Sequence, residues 1–332
     1  MKQVARKHAE SDNDPWEILR ACGQPGLFIT ATDTNIGKTT VTAALAGAFT
    51  RLGVKVGICK AVASGCPRHR LRGSARGADD DKLFSPDAAI AAKMAGLDPT
   101  DTELLKFLSP IRFAAPVSPH VAARLERRRP DWRRLAEAID YWRRHCELLL
   151  VEGAGGWLVP LDDNLFTVAD LAIILALPVV VISTASLGTL NHSWLTVESI
   201  RSRRLPLAGL VANRVRQPPD LIAATNLEEM PRLMRTPLLA ALPETTMGRK
   251  GDIPASLVEA LAPFAEQWWQ NYGGSSAGKP RSYSRIPGRG GVSKVTVCPD
   301  GGASVAGRST GRTAAAAAGS PAVSAGDILY SF

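Results

Sequence analysis

Short, nearly continuous apolar runs recur along the chain, separated by longer stretches in which apolar and polar positions follow a helical spacing. The runs are Gly26 to Thr30 (GLFIT), Val54 to Cys59 (VKVGIC), Leu148 to Glu152 (LLLVE), Val179 to Ser183 (VVVIS), Leu207 to Asn213 (LAGLVAN) and Leu238 to Leu242 (LLAAL). Strands that are apolar at consecutive positions, rather than at every second one, are covered on both faces, as in a parallel sheet with helices above and below. The stretches between them include Lys38 to Phe49, Pro86 to Ala95, Asp131 to His145 and Asn191 to Arg203, each long enough for a crossover helix. The pattern predicts an α/β fold, a doubly wound and mainly parallel sheet in a single domain.

Both ends depart from this pattern. Residues 1–24 form a polar N-terminal extension with a short helix expected from Asp14 to Ala21, and the domain is expected to span 25–272. Residues 273–332 are rich in Gly, Ser, Ala, Arg and Pro and hold 12 of the chain's 29 glycines. Too little apolar area is available there to offset ordering entropy, so the stretch is expected to be a disordered basic tail.

Charge changes the picture little. The net +9 owes more than half its excess to that tail, where seven Lys and Arg face two Asp. A second basic cluster, Arg124 to Arg134, is expected on a solvated helix surface, because no aromatic residues interleave with it, and no nucleic-acid partner is expected. The longest apolar run, Val168 to Ser183, contains Asp170 and Pro178 and is shorter than the roughly 20 residues of a membrane span. The first twenty residues lack the apolar stretch of a secretory signal, so a cytoplasmic protein without membrane association is expected. Five cysteines with no C-x-x-C pair argue for reduced thiols, and His120, His145 and His192 have no ligand spacing.

The chemistry starts at GLFITATDTNIGKTTVTAAL, Gly26 to Leu45. An apolar strand runs into a loop closing on G-K-T-T and then into a helix, whose unpaired N–H groups and dipole attract a phosphate. Lys38 would reach the β- and γ-phosphates and the Thr39 hydroxyl would bind magnesium. The fold is therefore expected to be P-loop NTPase-like, with Asn35, Ile36, Gly37, Lys38, Thr39 and Thr40 on ATP. The spacing is one residue longer than G-x-x-x-x-G-K-[ST], with Ala31 where the first glycine would stand.

Two further segments repeat the geometry of a strand ending in polar residues. GICKAVASG, Gly57 to Gly65, places Lys60 and Ser64 at a strand's carboxyl end, where doubly wound sheets bind ligands; taken alone, Lys60 fits a loop facing solvent equally well. ELLLVEGAGGWLVPL, Glu147 to Leu161, ends a strand in Glu152, which can hold magnesium or serve in a strand-end salt bridge.

TATDTNIGKT, CKAVASG, AAPVSPHVAA, VEGAGGWLVPL, SLGTLNH and LVANR, in this order, resemble the dethiobiotin synthetase family over about Gly26 to Leu242. The resemblance implies a homodimer that carboxylates 7,8-diaminopelargonic acid with CO2 and closes the ureido ring, using ATP and Mg2+ and releasing ADP and phosphate. It implies catalytic roles for Lys38 and Lys60, magnesium at Thr39, Asp87 and Glu152, and substrate contacts at Thr34, Lys60 and Ser64. Adenine would meet Asn213 and the backbone at Leu242 and Pro243, while Leu187, Gly188 and Asn191 of the second chain would hold the substrate carboxylate. Asn35 stands where the family often has Glu, Ala31 where Gly is usual, and Ala61 where Pro commonly follows the lysine. Ala31 requires that the backbone there avoid positive φ.

Among the acids near Asp87, the run Asp79 to Asp81 is expected to be a solvated loop. Ser85-Pro86-Asp87 has the form of N-cap, N1 and N2 before an apolar helix, which fixes Asp87 in place. The competing readings are a cobyrinate-type amidoligase, which leaves no room for its glutaminase domain, and a partitioning or scaffold P-loop ATPase, whose loop carries an extra lysine where this chain has Ala31 and Thr32.

Overall fold

Six strands form the central sheet: β1 (Gly26–Ala31), β2 (Val56–Lys60), β5 (Leu148–Glu152), β6 (Val179–Ser183), β7 (Leu207–Val215) and β8 (Leu238–Pro243). Their order is β2-β5-β1-β6-β7-β8, and every neighbouring pair is parallel. The computed structural model describes residues 13–68, 83–245 and 252–273, all within one contact-dense unit. The tail expected after Tyr272 and the acidic run Asp79 to Asp81 lie outside the described residues.

The consecutive apolar positions are explained by burial on both faces. All six residues of β1 and all five of β2, β5 and β6 are buried. Helix α2 (Lys38–Arg51) crosses over from β1 and is built of small residues, with Ala43, Ala44, Ala46, Gly47 and Ala48 all buried. A side chain at Gly47 would stand 2.8 Å from Met94 and 3.2 Å from Val258, so its absence lets α3 (Pro86–Met94) and α10 (Ala255–Tyr272) lie close against α2. On the chain's other crossover, α6 (Trp132–His145) buries Trp132, Leu135, Ala138, Ile139 and Trp142 along one stripe, leaving Arg143 and Arg144 outside.

Some boundaries move for identifiable reasons. The second strand begins at Val56, because Gly53 turns the chain with φ +79° and the Lys55 N–H is taken by the Glu147 carboxylate at 2.9 Å. It runs on through Lys60, a charged residue in register with Glu152, where an apolar count stops at Cys59. Helix α8 (Thr189–Ser202) starts two residues before Asn191, behind a left-handed Gly188. A second, two-stranded sheet, β3 (Val62–Ala63) with β4 (Ile111–Arg112), was not predicted, since two residues carry no periodicity.

The basic cluster Arg124 to Arg134 does not lie on one helix face. Helix α5 (Pro119–Leu125) ends inside it and α6 begins at Trp132. Nor is it solvated throughout: Arg128 donates to the Arg112 carbonyl at 2.6 Å and to Glu126 at 2.7 Å, and its guanidinium stands 4.8 Å from the centre of the Phe113 ring. Glu126 draws the arginine inward because it also accepts the N–H groups of Ala114 and Ala115.

The helix expected from Asp14 to Ala21 is the single turn α1 (Pro15–Ile18), capped by the Asp14 carboxylate on Trp16 N–H. This stretch packs on the unit: Leu19 and Cys22 are buried, and Trp16 meets Phe166 edge-on at 5.7 Å. Helix α4 (Thr102–Leu108), α7 (Val168–Leu175) and α9 (Leu221–Met234) complete the layers. Cys22, Cys59, Cys66 and Cys146 are free thiols.

Candidate active site

The loop after β1 is shaped by two left-handed residues, Asn35 at φ +60° and Gly37 at φ +99°. Asn tolerates that region and Gly enters it without cost. Ala31 is the last residue of β1 and has no positive φ, so the missing glycine costs nothing there. Gly37 caps α2, and a Cβ on it would lie 2.2 Å from Asn213 Nδ2. That amide donates to the Ile36 carbonyl at 2.7 Å, bracing the loop against β7.

Lys38 is the first helical residue and is 7% exposed; its Nζ donates to the Asp33 carbonyl at 3.1 Å. Burial, then the charge of Lys60, push its pKa down to about 8 against the pull of Glu152 and Asp33. Thr39 donates its hydroxyl to Glu152 Oε1 at 3.0 Å.

Lys60 ends β2 and Glu152 ends β5, two adjacent strands in register, so both side chains leave the sheet on one face. The Lys60 ammonium reaches Glu152 Oε1 at 2.5 Å and Asp87 Oδ2 at 3.1 Å. Burial alone would lower its pKa, but the two carboxylates more than reverse this and hold it above the ordinary lysine value. Asp87 sits at N2 of α3, whose cap Ser85 accepts the Ala88 N–H at 3.3 Å; the carboxylate is thus placed by the helix. Asp87 and Glu152 therefore share one ammonium, and Thr39 joins them through its bond to Glu152.

The expected substrate residues divide into two groups. Ser64 precedes Gly65, whose N–H donates to the Ala115 carbonyl at 3.0 Å, so the segment after Lys60 lies alongside the start of AAPVSPHVAA. Thr34 Oγ1 lies 3.4 Å from where a Cβ on Gly155 would be, linking the loop to VEGAGGW. Leu187, Gly188 and Asn191, by contrast, stand exposed at the start of α8, and among the described residues no side-chain hydrogen bond or ion pair joins them to Lys38, Lys60 or Ser64. Leu187 is 84% exposed.

Beyond the phosphate loop, a cavity of about 190 Å3 is lined by Thr40, Asn213, Arg214, Pro243 and Thr245. Leu242, expected beside Pro243 there, is fully buried and is not one of the lining residues. Arg214 and Thr245 were not anticipated; the string LVANR contained the arginine, but strand alternation assigns it to the face opposite Asn213. A larger cavity of about 510 Å3, lined by Lys106, Phe107, Tyr141 and Arg144 among others, contains no phosphate-loop residue and lies between α4 and α6. Among the described residues no three His, Cys, Asp or Glu side chains cluster as a metal site.

A family model described as an AAA domain matches residues 25–247. The chain is 32% identical over 242 residues to the ATP-dependent dethiobiotin synthetase BioD of Thermodesulfovibrio yellowstonii, covering 70% of this chain and 95% of that protein. It is 37% identical to the protein of the same name from Mycobacteroides abscessus, covering 73% and 96%, and 37% identical to that of Anaeromyxobacter dehalogenans, covering 72% and 99%. Among solved structures, the MinD cell division protein of Aquifex aeolicus aligns at TM-score 0.45 and 12% identity, covering 74% of this chain and 97% of that one.

Proposed function

The chain belongs to the dethiobiotin synthetase family, and from that premise we propose that Lys38 and Lys60 serve an ATP-dependent ring closure, converting 7,8-diaminopelargonic acid and CO2 to dethiobiotin with release of ADP and phosphate. One substrate amine attacks CO2, forming an N–C bond and losing a proton to give a carbamate. A carbamate oxygen then attacks the γ-phosphorus, and the bond to the bridging oxygen breaks to release ADP. The second amine attacks the carbamate carbon and expels phosphate, closing the ring.

The attack of the carbamate oxygen on the γ-phosphorus brings one anion toward another, and phosphate leaves as an anion in the last step, so the site must hold fixed positive charge where negative charge accumulates. Lys60 is such a charge: two carboxylates keep it protonated and fixed in orientation. Lys38, at the helix N-terminus, supplies the second, beside the unpaired N–H groups of the loop. The observation that carries the reading is the strand-end pair Lys60–Glu152, in register on adjacent strands and tied through Glu152 to the loop residue Thr39.

The residues present fit a magnesium ion. Thr39, Asp87 and Glu152 are hard oxygen donors, and two of them already share a cation in Lys60. When bound, the ion would offset charge on the β- and γ-phosphate oxygens.

We assign the second-copy interface to the starts of α8 and α9. Leu187, Leu195 and Leu221 are 84%, 59% and 81% exposed there, and Asn226 joins the two elements by donating to the Ala185 and Ser186 carbonyls. Exposed apolar side chains on elements joined in this way fit an interaction surface. A dimer through this face would bring the Gly188 end of α8, with its free N–H groups, to the substrate carboxylate of the other subunit. The same reading assigns the protein to the cytoplasm; no helix among the described residues is long and apolar enough to cross a membrane.

ADP release is the test. Release stimulated by diaminopelargonate and bicarbonate together supports the ring closure; release indifferent to diaminopelargonate favours a nucleotide-driven scaffold.

A further inference from the structure

Residues 13–22 lie ahead of β1, the strand that carries the phosphate loop, yet they are tied to the unit at both ends. At one end the Asn13 side chain bonds the start of α6, donating to the Pro130 carbonyl at 2.7 Å and accepting the Trp132 N–H at 3.2 Å. At the other, the Cys22 N–H donates at 2.9 Å to the carbonyl of Leu175, the last residue of α7. Between these ends Leu19 is buried and the Trp16 ring meets Phe166 edge-on. Ordering such a segment costs conformational entropy, which these contacts offset.

Phe166 is where the segment reaches toward the site. It is buried, and Trp132 meets it edge-on at 5.0 Å, as Trp16 does at 5.7 Å. Its backbone helps to close the loop 159–168: the Phe166 carbonyl accepts the Leu161 N–H at 2.7 Å, and its N–H donates to Asp162 at 3.0 Å. The Val168 N–H completes the closure by donating to the Val159 carbonyl at 3.0 Å. These two valines hem in the glycine run that follows Glu152. A Cβ on Gly153 would stand 2.8 Å from Val168, and one on Gly155 would stand 2.8 Å from Val159 and 3.4 Å from Thr34 Oγ1. Contacts thus run from Trp16 through Phe166 and the valines to Thr34.

We propose that residues 13–22 brace the glycine run against the substrate side of the site, with Trp16 as a positioning residue for diaminopelargonate that touches neither substrate nor nucleotide. The inference rests on the ring-closure reading and on Thr34 as a substrate contact. ATP depends on the brace less, because Glu152 is placed by its strand register and by Lys60, and Lys38 by its helix. Loosening the brace lowers the fraction of chains whose glycine run is in place. Substrate binding restores that fraction, so the apparent affinity falls while the saturated rate is kept.

Steady-state ADP release by the full chain tests this, with Asn13→Ala and Trp16→Ala combined to free the segment from both α6 and Phe166. KM for diaminopelargonate should rise about tenfold, the scale of one aromatic pair and one hydrogen bond lost together, while kcat and the KM for ATP at saturating diaminopelargonate change by less than about twofold. Trp16→Ala alone should raise the diaminopelargonate KM about threefold, and Trp16→Phe, which keeps a ring edge on Phe166, should leave it within about twofold of wild type. An unchanged KM for diaminopelargonate with or without a lower Tm, a fall in kcat alone, an equal rise in both KM values, or a phenylalanine variant as impaired as the alanine one would overturn the brace while leaving the ring closure intact. A wild-type chain whose ADP release ignores diaminopelargonate overturns the ring closure and this role together. Should the double variant lose its fold, the two single Trp16 variants carry the measurement.

Discussion

Two lysines lie side by side at the carboxyl edge of the sheet, equally buried at 7% and 6% exposure, and their protonation moves in opposite directions. The Lys38 ammonium, at the start of α2, hydrogen-bonds the neutral backbone carbonyl of the loop residue Asp33. Lys60, at the strand end, is held by two carboxylates. Burial is the same in both regions; the partners differ. A desolvated charge without a counterion is disfavoured and awaits one, whereas a desolvated charge with two carboxylates is locked in place. The loop is thus ready for an incoming anion, and the strand end is already assembled.

The largest effect should come from breaking the assembled pair. Lys60→Met leaves Glu152 buried without its cation and should cost about 3 kcal/mol of stability, whereas Lys38→Met at neutral pH should cost nothing or stabilise, because it removes an uncompensated buried charge. Denaturant unfolding of both variants tests this, and equal losses would show that partners do not distinguish the two sites. Turnover should not follow stability: Lys38→Ala and Lys60→Ala should each lose at least about two orders of magnitude in dethiobiotin formation.

The comparison sharpens with pH. Lys38 has a folded value of about 8, below the ordinary lysine value of 10.5, so its cation is present below pH 8 and is lost as pH rises through that value. The free enzyme's kcat/KM for ATP should therefore fall above about pH 8. The linked stability runs the other way: from pH 8 to 10.5 the unfolded chain binds the proton that the folded one has released, so this group's destabilising contribution fades over that window. A profile flat from pH 7 to 10 would count against the unpaired state of Lys38.

Smaller effects test how the strand end is supported. Asp87→Asn should lower turnover by about tenfold and raise the magnesium concentration at half-activity, since one of two carboxylates at the ammonium is lost. Ser85→Ala should leave that magnesium response in place and cost about 1 kcal/mol, the ordinary contribution of an N-cap, read as a lowered Tm.

The legible parts of this molecule are those where local chemistry has one outcome. Consecutive Val, Ile and Leu in β1, β5 and β6 required burial on both faces, and S-P-D before AAIAA required a capped helix that fixes Asp87. G-K-T-T behind a strand led to a helix opening at Lys38 behind a left-handed Gly37, and Lys60, ambiguous alone, stands in register with Glu152. What stayed hidden depended on distant partners. Arg128 reads as solvated in the sequence, whereas Glu126 and the Phe113 ring hold it, and Arg214, opposite Asn213 by strand alternation, lines the same cavity where the pairing of β7 with β8 is irregular. The two-residue strands β3 and β4 carried no periodic signal, because two positions cannot show a period.

The tight approach of Asn213 to Gly37 also restricts how this chain can drift. Position 37 is closed to other residues by its backbone, at φ +99°, and by the amide 2.2 Å from where a Cβ would stand. Replacing Asn213 by serine would open the space but leave the dihedral forbidden, and would release the carbonyl of Ile36 that now anchors the loop. Reversing the order of the two changes helps no better, since an alanine arriving first meets both obstacles together. No single-step path leads away from this pairing, so a lineage carrying it keeps both residues or gives up the loop's shape.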